Sequence, residues 1–256
     1  MEIIVMAENC FSTMTKNSVQ LQSLVLWNHL CIENCLIYDN NMDLKDLLPE
    51  QIREHYILSF DHGSYVYGTN SEKSDRDIIV IVDDNIDLSD SVNSILEIEQ
   101  NPYDFQIINE HTFINMIYDH HIIAVESMFM QHEHYSDYDM FNKKYSAYFI
   151  LDKWKLRQVI SAIVGNSYAK CHKKLVVKDD YDLYRAQKSI FHCIRLYMFA
   201  IQLASTRKIY DYSEANAYWY DIKTMGSDWE EYKVKFKPLL NELRSTLVKY
   251  CPKPND

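Results

Sequence analysis

Two of the chain's four glycines, Gly63 and Gly68, fall within one stretch, "SFDHGSYVYGTNSEKSDRDIIVIVDDN", Ser59 to Asn85. Asp75 and Asp77 follow twelve and fourteen residues after Gly63, and a run of Ile and Val begins at Ile78. Glycine reaches backbone conformations with positive φ and allows another group to approach closely. A glycine-poor chain that places two of them here is marking a tight turn. The β-branched run in "DIIVIV" reads as a strand, and "YILSF" upstream as another. Side chains alternate faces along a strand, so Asp75 and Asp77 point the same way. The order is therefore strand, glycine turn, short helix, then a strand opened by two carboxylates on one face.

That arrangement suits a hard cation and a phosphate. Mg²⁺ takes oxygen ligands, commonly one or two carboxylates plus substrate phosphates. A third carboxylate on a neighbouring strand would complete a site for two ions, and Asp104 in "PYDFQII" opens such a strand. A strand leading through "HGS" into a helix presents backbone N–H groups to phosphate. Gly63 lets the backbone approach, Ser64 adds a hydroxyl donor, and Gly68 ends the helical turn. Singly, these fragments are ordinary turns and solvated strand ends; their common order and spacing favour a site. A phosphatase-type Asp-x-Asp follows its strand, whereas these acids precede theirs. A Walker loop needs Gly-Lys-Ser/Thr, which the chain lacks.

Elsewhere, "EIIVM" at 2–6 is a short strand or part of a helix, and "VQLQSLVLWNHLCIENCLIY" has helical periodicity. "LKDLLPEQIREH" predicts a short helix broken or begun at Pro49. "SVNSILEIEQ" predicts a helix crossing between strands, and "DFQIIN" a third strand. "EHTFINMIYDHHIIAVESMFM" gives two helical pieces, with His120 and His121 at the turn between them. From Lys153 onward only long helical patterns appear. The expected fold is α+β: a small mixed β-sheet with flanking helices over 1–140, an all-helical bundle over 141–250, and a flexible tail over 251–256.

The formal charge of −11 and pI near 5.3 argue against long double-stranded nucleic acid as a partner, whose binding rests on neutralising phosphates. A local basic pocket is compatible with an acidic surface. Cys10, Cys31, Cys35, Cys171, Cys193 and Cys251 are scattered, the start "MEIIVMAENCF" is not a secretory leader, and no stretch reaches the length of a membrane span. Reduced thiols in a cytoplasm are expected. Twenty tyrosines beside many Asn, Ile, Lys and Asp residues hint at an AT-rich, viral genome, hence a host cytoplasm.

Lys188, His192 and Arg195 recur at i, i+4 and i+7, on the helical face opposite Ile190, Ile194, Tyr197 and Ile201. Spacing alone makes this a solvated face; beside a nucleotide it would grip the triphosphate. Lys170 and Lys173 form a second basic candidate. Glu126, in "IIAVESMF", reads as a capping or buried structural carboxylate. Cys31 and Cys35, near His29, lack the second ligand pair a zinc site needs and read as core residues. His132 and His134 in "MQHEHYSD" are expected in solvent. Tyr65 and Tyr67 could either stack on a base or pack.

The stretch "GSYVYGTNSEKSDRDIIVIV" resembles the signature of the DNA polymerase β-like nucleotidyltransferase superfamily, in the branch of bacterial and phage proteins with a Gly-Ser…Tyr-Gly-Thr…Ser-Asp-x-Asp motif. "DFQIINEHTFINMI…AVESMF", "NSYAKCHKKL" and "KSIFHCIRLYMFAIQLASTRKI" resemble that branch's later elements, so the likeness runs over roughly residues 55–210. The resemblance implies the nucleotidyltransferase fold and metal-dependent transfer of a nucleoside monophosphate from an NTP, ATP being the commonest, with release of pyrophosphate. It implies that Gly63 and Ser64 bind phosphate. Asp75, Asp77 and Asp104 would hold two Mg²⁺ (or Mn²⁺) ions, and Asp104 would help deprotonate the attacking hydroxyl. The acceptor stays open among an RNA end, a protein side chain, a small molecule and water. The alternative from another class is a catalytically silent, nucleotide-binding regulator or antitoxin-like partner; the retained Gly-Ser and both acids argue against it.

Overall fold

A computed structural model of the protein describes residues 43–88 and 95–254. The expected elements at 2–6 and 19–38, with Cys10, His29, Cys31 and Cys35, lie outside the described residues. The first described half holds α1 (Glu50–Arg53), β1 (Tyr56–His62), α2 (Ser64–Tyr67), β2 (Arg76–Val82), β3 (Ile95–Gln100), β4 (Tyr103–Asn109), α3 (Glu110–Tyr118) and α4 (Ile122–Ser127). Then come α5 (Tyr138–Tyr145), α6 (Lys153–Val176), α7 (Leu183–Thr206), α8 (Asn216–Ile222) and α9 (Trp229–Tyr250), with no strand among the described residues after β4. The fold is α+β, a mixed sheet followed by a helical region, as the sequence predicts.

The sheet has four strands in the order β1-β2-β4-β3. β1 runs antiparallel to β2, β2 parallel to β4, and β4 antiparallel to β3. β2 lies inside the sheet and is covered on both faces, which is why it reads as an unbroken apolar run. Ile79 and Ile81 pack with Leu58, Phe60 and Ile108 toward the long helices. Ile78, Val80 and Val82 pack with Phe105, Ile107, Leu48 and Ile52 on the other side.

One expected element is corrected. Ile95–Gln100, read as the end of a crossover helix, is the edge strand β3. Ile98 is buried whereas Glu97 and Glu99 are exposed, a period of two rather than 3.6. The β1 edge is covered instead of extended: Phe60 bridges Tyr135, the Ser136 N–H donates to the Ser59 carbonyl at 2.9 Å, and the Ser59 N–H donates to Ser136 Oγ at 2.9 Å. That contact carries His134 against the sheet, so it is only 18% exposed and not the solvated residue expected.

The helical region is organised by α7. Its Ile190, Ile194, Leu196, Phe199 and Leu203 are buried, and a single apolar cluster links it to α6, α9 and the sheet. The α6, α7 and α9 N-termini are capped by Asp152, Asp182 and Asp228, whose carboxylates accept first-turn N–H groups. His120 turns the chain between α3 and α4 with φ 56°, as expected of that position. Cys251 is buried and its carbonyl accepts from Arg157 Nη1 at 2.9 Å, so the tail expected from residue 251 is anchored at its first residue. No described helix is long and apolar enough to cross a membrane.

Candidate active site

β1 runs into Gly63, which takes φ 73° and ψ −142°, a conformation L side chains rarely adopt. Its carbonyl accepts the Val66 and Tyr67 N–H groups at 3.1 and 3.2 Å, forming the single turn of α2. Gly68 closes that turn in the left-handed region at φ 69°. Gly63 is required for a second reason: a Cβ built there would lie 2.2 Å from Asp77 Oδ2. The turn and the strand of acids are thus in direct contact.

Sheet register aligns the acids. His62 pairs with Asp77, Asp77 with Asp104, and Asp104 with Glu99. Cross-strand partners share a face, and neighbouring strands stand about 4.8 Å apart. The four side chains form a row on the face that packs toward the long helices, at the end where β2 and β4 begin. Asp75 is exposed, just ahead of β2, and its charge acts on both Asp77 and Asp104.

Burial pushes the Asp77 carboxyl above the usual range; Lys188 opposes this, while Asp104 and Asp75 add to the rise. Burial likewise raises Asp104, helped by Asp75, Glu99 and Glu97 and opposed by Lys188. Glu99 and Glu97 were hidden in the segment read as a helix. Among the described residues no three His, Cys, Asp or Glu side chains converge tightly enough to hold an ion alone. Of the expected ligand set, Asp77 and Asp104 stand side by side in the row, and Asp75 lies just ahead of β2 with its charge acting on both. A cation there would need further oxygens, such as a phosphate supplies.

The basic candidates of the helical region separate by depth. Lys188, one of the expected basic candidates, is exposed and acts on Asp77 and Asp104. Lys170 is exposed and acts on His192. Lys173 is paired with Asp180 at 3.1 Å. His192 is half-buried and held down to about 3 by burial, Arg195, His62 and Lys170. It is therefore a neutral acceptor for Arg195 Nη2 at 3.0 Å. Arg195 is 8% exposed, so the residue expected to grip a triphosphate is instead part of the core.

Its partners form a buried anchor beneath the glycine turn. The Arg195 guanidinium lies 3.5 Å from the centre of the Tyr67 ring and 3.9 Å from Glu126 Oε1. Tyr67 OH donates to Glu126 Oε2 at 2.5 Å, and Tyr212 OH to the Glu126 carbonyl at 2.5 Å. Burial raises the Glu126 carboxyl, while Arg195 and Tyr67 hold it back. Glu126 is the buried structural carboxylate expected. Tyr67 packs rather than offering a surface for stacking. His62, beside Glu126 at 3.8 Å, is held down to about 3 by burial and by the charge of Arg195.

On the opposite sheet face, Arg76 reaches Asp61: Nε to Oδ1 is 2.8 Å and Nη2 to Oδ2 is 3.0 Å. His134 Nδ1 lies 3.0 Å from Asp61 Oδ2. Asp61 and His134 are 73 residues apart, so nothing local in the sequence announces the contact. His62 had a signal, its place before Gly63 in "DHGS", that the glycine turn overshadowed.

No family model and no curated protein matches the chain. Among solved structures, a nucleotidyltransferase-like protein from Exiguobacterium sibiricum 255-15 is similar at 11% identity, over 77% of this chain and 72% of that one, with a TM-score of 0.29. A likeness at that level bears on neither the chemistry nor the site residues.

Proposed function

We propose that the chain is a divalent-metal-dependent nucleotidyltransferase that moves a nucleoside monophosphate from an NTP, with ATP the first to test, to a hydroxyl acceptor and releases pyrophosphate. One observation carries the reading: Asp77 and Asp104 are in-register neighbours on parallel strands, with Gly63 pressed against Asp77 and Lys188 close enough to act on both. The donor set fits Mg²⁺ or Mn²⁺, since like-charged carboxylates with raised proton affinity are relieved by a cation. Bound there through Asp75, Asp77 and Asp104, the metal would supply charge neutralisation of the triphosphate.

The chain's own residues have distinct tasks. Gly63 lets the Asp77 carboxylate close on the backbone of the turn, and Ser64 Oγ and the first N–H groups of α2 donate to phosphate oxygens. Lys188 Nζ donates to the charge that develops on the leaving pyrophosphate. Asp104, more basic than an ordinary surface carboxylate, takes the proton of the acceptor hydroxyl. The acceptor oxygen bonds to the α-phosphorus as the bond to the pyrophosphate oxygen breaks. Positioning and electrostatics supply most of such a rate enhancement. Arg195 supports the turn from below and does not touch substrate.

The test incubates the protein and its Asp75→Asn/Asp77→Asn variant with each α-³²P-labelled NTP and a whole-cell extract. Label moving to one fraction with wild type alone, with pyrophosphate released, supports the reading. Equal labelling by the variant rejects it. Tight Mg²⁺-dependent ATP binding with no pyrophosphate released in any fraction would support the silent regulator instead.

A further inference from the structure

Arg76, the residue between the two aspartates, takes no part in the chemistry above. Strand alternation turns its side chain away from Asp75 and Asp77, onto the far face of the sheet. There it meets Asp61 as a fork on a fork, at 2.8 and 3.0 Å. Asp61 is 5% exposed and stands two residues before Gly63. The Arg76 backbone N–H donates to the Pro102 carbonyl at 2.8 Å, two residues before Asp104. One residue therefore joins the three segments that carry Gly63, Asp77 and Asp104.

We propose that Arg76 and Asp61 are a positioning pair that holds the carboxylate row against the glycine turn, an inference that rests on the reading of that row as a divalent-ion site. The row needs holding. Like charges directly opposite one another push their strands apart, and here they sit at the strand ends, where fewest ladder hydrogen bonds resist. A bidentate guanidinium fixes direction as well as distance, and His134 Nδ1, 3.0 Å from Asp61 Oδ2, secures that carboxylate from the other side. The Arg76 guanidinium also lies 5.8 Å from the Tyr65 ring, next to the glycine turn. Asp77 has little slack, because its Oδ2 fills the space a Cβ on residue 63 would take.

Asp61 is buried and the Arg76 side chain is 35% exposed, so removing Arg76 alone leaves a buried carboxylate without its cation, whereas removing both charges does not, and this separates positioning from stability. Mn²⁺ uptake by the full chain in the presence of a non-hydrolysable NTP analogue, which supplies the further oxygens, would be read by electron paramagnetic resonance against a protein-free control and compared for wild type, Asp77→Asn, Arg76→Met, Arg76→Lys and Asp61→Asn/Arg76→Met, with melting temperature and the kcat and KM for NTP. Wild type is expected to bind Mn²⁺ and Asp77→Asn not to. Arg76→Met and the double variant are expected to weaken binding about tenfold, the size of effect seen when outer-shell partners of metal ligands are lost. The double variant should recover the melting temperature that Arg76→Met loses without recovering affinity, and Arg76→Lys should recover part of the affinity. A folded double variant with wild-type Mn²⁺ affinity and wild-type kcat overturns the positioning pair and leaves the active-site reading standing. Absence of Mn²⁺ uptake by wild type overturns both. Should Arg76→Met fail to fold, the double variant and Arg76→Lys decide the matter.

Discussion

Around the start of β2, successive residues send charge to opposite faces of the sheet, and the two faces treat it differently. On the far face the Asp61 carboxylate meets Arg76 through two hydrogen bonds and His134 through a third contact. On the near face Asp75, Asp77 and Asp104 gather with Glu99, and the cation that acts on both Asp77 and Asp104 is the exposed Lys188. The far face is explained by folding: a buried acid is tolerable when it is paired and hydrogen-bonded. The near face is not, since like charges in register oppose the sheet that carries them. Groups that work against stability yet are set in a defined geometry are what the proposed active site would contribute.

The contrast can be broken most severely at Asp77. Asp77→Asn should lower nucleotide transfer by a factor on the order of 10³, while raising the apoprotein's stability at pH 7 by about 0.5 kcal/mol through relief of repulsion. Parallel transfer assays and urea melts check both halves; a variant that is less active and also less stable would mean that the row is structural. Arg195→Met probes a paired charge for comparison. It leaves Glu126 buried without its cation and should cost about 3–5 kcal/mol, with much of that regained in Glu126→Gln/Arg195→Met. Denaturant melts of the two variants measure it.

Lys188→Met is expected to raise the KM for NTP about tenfold, the loss of one charge-assisted contact to phosphate, with little change in melting temperature because the side chain is exposed. The last comparison is in pH. His62 and His192 are held down to about 3, well below the ordinary 6.5, so the unfolded chain takes up their protons first. Their contribution to stability is complete above pH 6.5 and is lost as pH falls toward 3, at up to roughly 1.4 kcal/mol per pH unit for each. The raised carboxyls of Asp77 and Asp104 act in the opposite sense. Their favourable contribution is complete below the ordinary carboxylate value of 3.8 and is lost as pH rises through their folded values. Asp77→Asn should therefore steepen the acid loss of stability at the low end, which melts from pH 7 to pH 4 would reveal.

Much of this was legible because chemistry and periodicity coincided. The glycine turn and the strand β2 each follow from local pattern. Asp104 was legible as an acid opening a strand, but its direct register with Asp77 is a property of strand pairing. β3 was misread because a six-residue run with apolar residues at both short and longer steps does not separate a strand from a helix. The Lys188, His192, Arg195 spacing puts the three on one helical face. Spacing fixes an angle around the axis and says nothing of depth along it, so Arg195 could not be told from Lys188. The Asp61–His134 contact depends on a loop folding back onto an edge strand, which no local signal predicts.

The backbone at Gly63 has one last implication. Since an added methyl there would both collide with Asp77 Oδ2 and demand a conformation disfavoured for any L residue, shrinking the aspartate could cure only the first fault. Compensating change elsewhere in the chain has no route to cure both. A descendant carrying a side chain at 63 would therefore have to rebuild this corner, parting the turn from Asp77.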